Sequence, residues 1–281
     1  MLRFDCANRG RTPRMKAVPR RRPFWIAALV VALALPLVGQ FGRRGRRSYP
    51  PGMGWADESV RAEFFFTRLA YSDGGGGRGW GRGAWTTDWP DAEYHLMQGV
   101  KRLTVLDAAD GGRYVSPMDD ELFEYPWIYA VEVGNWMLDE TEAERLREYL
   151  LRGGFLVVDD FHGGYEWAAF VDSMRRVFPD RPIVEIGDDD EVLHVLYDLN
   201  QRIQIPGIRA VMSGYTYERV DGKPPYWRGI YDDEQRLMVA INFNMDLGDA
   251  WEHADDPRYP EPMTALSYRF GVNYVIYAMT H

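Results

Sequence analysis

A single cysteine, Cys6, serves all 281 residues, and it precedes everything that reads as folded domain. The body of the chain therefore has no internal disulfide, no thiol nucleophile and no Cys-based metal site. That is compatible with an oxidising compartment. No G-x-S-x-G elbow and no Walker loop occurs either, which removes the motif-borne serine hydrolases and P-loop nucleotide enzymes. Positive charge is scarce beyond residue 47. The first 47 residues hold 12 of the 33 Lys and Arg and one acid, Asp5, leaving 21 bases against 41 acids. Such a body repels phosphate backbones, so nucleic acid is not an expected partner. Divalent cations or neutral polar ligands suit the charge, as does a simple solvated acidic surface.

Long apolar runs are also missing. The longest, Phe24–Val38, is about 15 residues, short for a spanning helix of roughly 20 but suited to a signal segment. Arg20–Arg22 precede it, and Arg21-Arg22-Pro23-Phe24 resembles a twin-arginine address. Leu37-Val38-Gly39 is a poor cleavage site, and Arg43, Arg44, Arg46 and Arg47 resist translocation. Residues 1–41 are expected to be a signal peptide or an uncleaved membrane anchor, 42–61 a linker, and 62–281 one domain. The expected location is the periplasm or cell envelope, with membrane contact through the N-terminal segment only.

What is present is an apolar fraction of 46%, enough for a filled core, in which strands alternate with helices. Ala62–Tyr71 reads as the first strand. Ser72–Ala84 is glycine-rich but matches no phosphate-binding spacing, which favours a lid or surface loop. Thr87 or Asp88 is expected to cap a helix through Arg102 whose stripe is Tyr94, Met97, Val100 and Leu103, with His95 solvated. Pro126–Val133 reads as a buried strand. Asp139 caps a helix over Thr141–Arg152. Gly153-Gly154 stop that helix, and Phe155–Val158 is an apolar run suited to a strand covered on both faces. Tyr165–Phe178 is an amphipathic helix, Pro182–Ile186 a strand, and Asp188-Asp189-Asp190 a solvated turn. His194–Gly214 has little pattern. Tyr226–Asp232 and Arg236–Phe243 form a hairpin, and Thr264–His281 closes the chain as a helix. The pattern predicts an α/β fold, a three-layer α/β/α sandwich with a mostly parallel sheet.

Two polar clusters follow buried strands, where open α/β sheets place ligands. The first is Asp159, Asp160 and His162, a carboxylate pair and an imidazole suited to acid–base chemistry. The second is Asn242–Asp256, in which Asn242, Asn244, Asp246 and Asp249 offer oxygen ligands and His253 lies just beyond. Asp246, Asp249 and His253 are candidate ligands of a divalent cation; the same oxygens could bond a sugar's hydroxyls. Asn and Asp also cap turns, and this alternative stays open. Asp88 and Trp136 complete the ligand-binding candidates.

Five blocks carry a family resemblance: FTRLAYSDGGGGRGWG, WTTDWPDAEYHLMQGVKRLT, LREYLLRGGFLVVDDFHG, RLMVAINFNMDLGDAWEHADDPRYP and YRFGVNYVIYAMTH. In this order, over roughly Glu63 to His281, they resemble the bacterial family called domain of unknown function 4159. The resemblance implies a flavodoxin-like fold of the class I glutamine amidotransferase and trehalose-utilisation type. It also implies frequent export or anchoring, and envelope protein partners. It supplies no activity. Amidotransferases carry a nucleophilic cysteine at the strand-to-helix elbow, where this chain has Asp159-Asp160-Phe161-His162, so amidotransfer by that route is excluded. The expectation is a non-catalytic ligand- or partner-binding module. The alternatives are a carboxylate- or divalent-ion-dependent hydrolase acting on a carbohydrate-like substrate, and a structural envelope component.

Overall fold

The computed structural model describes residues 53–72 and 83–281. Cys6, the expected signal segment Phe24–Val38 and residues 73–82 of the glycine-rich segment lie outside the described residues. In chain order the strands are β1 (Thr67–Leu69), β2 (Arg113–Val115), β3 (Trp127–Val131), β4 (Phe155–Asp159), β5 (Val184–Glu185), β6 (Tyr226–Tyr231) and β7 (Leu237–Phe243). The helices are α1 (Asp91–Leu103), α2 (Glu140–Leu151), α3 (Gly163–Val177), α4 (Ile208–Met212), α5 (Leu247–Glu252) and α6 (Glu261–Thr280). One seven-stranded sheet runs in the order β2-β1-β3-β4-β7-β6-β5. Its first five strands are parallel, and β6 runs antiparallel to both its neighbours.

The period-2 rule explains how the sheet builds two cores. Trp127, Tyr129 and Val131 of β3, with Phe155 and Val157 of β4, face α1, α5 and α6. Ile128, Ala130, Leu156 and Val158 face α2 and α3 on the other side. Every residue of β3, β4 and β7 is buried, as continuous apolar strands in a three-layer α/β/α sandwich require. Asp139 caps α2 with a full capping box, its carboxylate accepting from Glu142 N–H at 2.8 Å, worth about 1 kcal/mol. Gly153, at φ 109°, ends the helix and turns the chain into β4.

Several local expectations need correction. The first strand is only Thr67–Leu69, and the predicted Pro182–Ile186 strand shrinks to two exposed residues at the sheet's edge. α1 starts at Asp91 after a cis Trp89–Pro90 bond, without a side-chain cap from Thr87 or Asp88. Its inner face is Ala92, Leu96, Met97 and Val100, while Leu103 is exposed; small Ala92 and Gly99 let α1 approach its neighbours, so the burying face is rotated from the stripe of large residues. His95 is half-buried, its Nδ1 2.8 Å from the carbonyl of Trp251. The patternless segment after His194 contains α4, too short to show a period. β2 carried no strand signal in three residues. Trp55, in the expected linker, pairs with Gly112 and stacks on Trp89.

Candidate functional site

Three adjacent strands leave the sheet at its carboxyl edge through the same unusual backbone. The first residue after β3 is Glu132 (φ 56°), after β4 Asp160 (φ 50°) and after β7 Asn244 (φ 63°). Asp88, ahead of α1, adopts φ 64°. Non-glycine residues enter the left-handed region at a cost of roughly 1–3 kcal/mol each, and such residues concentrate where function demands them. Asn and Asp tolerate it best. Glu132 does not share that tolerance.

The adjacent pair Asp159–Asp160 divides two roles between neighbouring carboxylates. Asp159 is fully buried, and its Oδ2 accepts from the Tyr129 hydroxyl (2.9 Å), Leu247 N–H (2.7 Å) and Gly248 N–H (3.0 Å). It ties β3 and β4 to the start of α5. Burial pushes its carboxyl up to about 7 despite those donors. Among the described residues Asp160 has one side-chain hydrogen-bond partner, His162, whose Nε2 lies 3.1 Å from its Oδ1. That Nε2 is also 3.6 Å from Oε1 of Glu218. Burial, then Glu132, Glu218, Asp159 and Asp249, hold the Asp160 carboxyl well above its ordinary value. His162 is 5% exposed, and its Nδ1 meets no partner among the described residues.

The β7 side completes the cluster. Asp246 caps α5, its Oδ1 accepting from Asp249 N–H at 2.7 Å. Asp249 accepts from Ile208 N–H and lies 3.1 Å from His253 Nε2. One ligand atom each from Asp88, Asp160 and Asp246 falls within 4.8 Å of the others; the same holds for Asp160, His162 and Glu218, and for Asp249, Glu252 and His253. Burial first, then neighbouring carboxylates, raises the Asp88 and Asp246 carboxyls well above normal. Burial also raises Glu252, while the bond to Asp249 raises His253. A cleft of about 370 Å³ opens over this edge, lined by Ala84, Thr87, Glu132, Asn135, Asp160, His162, Glu166, Glu218 and Arg219. Its lining carries one arginine, Arg219, paired to Glu166.

The two sequence clusters thus meet, through Asp160 and Asp246. Asn244 acts as a clamp: its Oδ1 accepts from Gly163 N–H (2.9 Å) and its Nδ2 donates to the Pro224 carbonyl (2.8 Å). Asn242 is fully buried and accepts from Tyr274 (2.8 Å). Trp136 stacks on Phe170 within the core, 3% exposed. Glu218, Glu166, Arg219 and Glu132 were not anticipated. Glu132 could have been found by the rule that singled out Asp160, since it follows a buried strand. Glu218 and Arg219 lie in a stretch without period or motif.

The chain belongs to a family described as a domain of unknown function, DUF4159, whose model matches residues 66–279. No curated protein matches it.

Proposed function

We propose that the protein is a binding module that holds a neutral or cationic polar ligand in the cleft at the sheet's carboxyl edge, on an amidotransferase-like scaffold without the cysteine. One observation carries this: the starts of α3 and α5, which face that edge, are already filled by the chain's own oxygens. The N–H groups of His162, Gly163 and Gly164 donate to Glu166, Asn244 and Asp221 at the start of α3. Those of Leu247, Gly248 and Asp249 donate to Asp159 and Asp246 at the start of α5. Anions bind helix starts through free N–H groups. Here the donors are taken, and the walls are acidic. A carbohydrate-like or amine-bearing ligand fits both facts.

The test is a ligand-observed NMR panel on the chelator-treated full-length chain with a neutral oligosaccharide, spermidine and citrate. The oligosaccharide or spermidine should bind, more weakly in Asp160→Asn; citrate binding in preference to both would overturn the proposal. The leader supports an exported or membrane-anchored location, which cell fractionation with and without residues 1–41 would test.

A second reading, a carboxylate-dependent hydrolase, is favoured by Asp160 itself. It occupies the left-handed position directly after β4, beside His162, with burial pushing its carboxyl well above the ordinary value. Turnover of a glycoside or ester, lost in Asp160→Asn, would replace the binding assignment.

A further inference from the structure

We infer that the groove between α3 and the loop ahead of β5 is a binding site for a linear acyl carboxylate, its chain lying along the helix and its head group at Arg175. The groove shares no lining residue with the acidic cleft, so the two sites stand or fall separately.

α3 carries more apolar surface than the sheet covers. Phe170 and Val177 are 0% exposed in the core, whereas Trp167 and Val171 are only half-buried. Trp167, Val171, Met174 and Phe178 recur at i, i+4, i+7 and i+11, which makes one stripe roughly 16 Å long at about 1.5 Å per residue. Ile183 and, from β6, Ile230 face this stripe, and together they enclose a groove of about 310 Å³. An apolar lining with few polar groups is what a small-molecule site needs. Its length along the helix suits a straight chain better than a compact ring system. The wall is also held in shape: the Trp167 ring lies 4.6 Å from that of Phe243, and the Arg228 guanidinium stacks over it at 4.6 Å.

The charge at one end selects the head group. Arg175 stands one turn after Val171 and just under one turn before Phe178, and it lines the groove. It is exposed, and among the described residues no carboxylate meets it. Its basic neighbours are answered. Arg176 pairs with Asp172 at 2.5 Å and Arg181 with Asp233 at 3.1 Å, while Arg147 donates to the carbonyls of Arg176 and Val177 at the end of α3. Arg175 is thus left free for an anion from outside, on a body where acids outnumber bases 41 to 21. One guanidinium matches the single charge of a carboxylate, with which it forms a two-pronged hydrogen-bonded pair. A carboxylate on an apolar chain satisfies the groove and the arginine together.

The test titrates octanoate, decanoate and decyltrimethylammonium, each below the concentration at which it forms micelles, into the full-length chain by calorimetry. Decanoate should bind near one per chain, tighter than octanoate by roughly four- to fifteenfold, the worth of two methylenes half to fully removed from water. Decyltrimethylammonium should bind more weakly than decanoate, and that order should reverse in Arg175→Glu, a change at an exposed position. Ile183→Asp should abolish decanoate binding with an unchanged circular dichroism spectrum; Ile183→Ser takes its place if that spectrum shows lost folding. No binding at millimolar decanoate, or the same affinity in the parent and both groove variants, overturns the site. Octanoate binding as tightly as decanoate, or decyltrimethylammonium binding at least as tightly as decanoate in the parent, overturns it as well.

Discussion

On β1, buried Arg68 meets one carboxylate and two carbonyls; at the exit of β4, buried Asp160 meets one imidazole among several more acids. Arg68 is 0% exposed, donating through Nε to Glu93 and through Nη1 to the carbonyls of Trp85 (2.8 Å) and Thr87 (2.6 Å). Glu93 is 1% exposed, so the pair is one buried cation against one buried anion. Around Asp160 the balance is reversed. Glu132, Glu218, Asp159 and Asp249 all oppose its ionisation. A buried charge that is answered within the fold serves the fold. One that is left to be answered from outside is where a ligand belongs.

The largest effect that tests this contrast comes from breaking the answered pair. Glu93→Leu leaves the Arg68 guanidinium buried without its carboxylate and should cost about 3–5 kcal/mol in denaturant unfolding. Adding Arg68→Met should restore most of it, because two apolar groups replace two charges. A single variant as stable as the parent would mean the pair is not isolated from water.

Asp159 stands between the two cases, buried near the cleft but answered by three donors. Asp159→Ala strands the Tyr129 hydroxyl and the Leu247 and Gly248 N–H groups, and should cost roughly 2–3 kcal/mol. Asp160→Asn should do the opposite. Asn tolerates φ 50° and removes a carboxylate from a crowd of them, so at pH 8 it should stabilise the chain by about 1 kcal/mol. That corresponds to a melting shift of roughly 2–4 °C for a domain of this size. If Asp160→Asn destabilised the chain as Asp159→Ala does, the distinction between the neighbours would collapse.

How much of this was legible from the residues alone follows the same line. β3, β4 and β7 announced themselves because strands covered on both faces are continuous apolar runs, and Asp139 as a cap announced α2. The edge strand β5 and the three-residue β2 did not, since neither is long enough to carry a period. Asp160, His162, Asp246 and Asp249 were visible as polar residues directly after buried strands. Glu218 was not, because the segment between α4 and β6 has no pattern and reaches the site only through the fold. Glu93 lies off the apolar stripe of α1, and its carboxylate is buried by a charge partner on β1 instead of by apolar neighbours. Periodicity finds faces; it does not find the pairs that let a charge share one.

The smallest expected effect concerns an answered charge that can be switched off. His253 follows α5, four residues after Asp249, with Nε2 at 3.1 Å, and that bond raises its pKa in the folded state above the ordinary value near 6.5. A histidine raised on folding stabilises fully below its unfolded pKa and loses that contribution as pH rises through the folded one. For a partly exposed pair at a helix end, the contribution is about 0.5–1 kcal/mol. The parent should therefore be more stable than His253→Gln at pH 5.5, and the gap should close by pH 9. Using the difference between the two proteins cancels the raised carboxyls of Asp88, Asp159, Asp160 and Asp246, which titrate in both. Urea midpoints at the two pH values measure it. A gap that stays constant would make the contact between His253 and Asp249 a neutral hydrogen bond. One that widens with pH would mean the imidazole is buried uncharged, and the acids of α5 would then join those of the cleft as charges awaiting an outside partner.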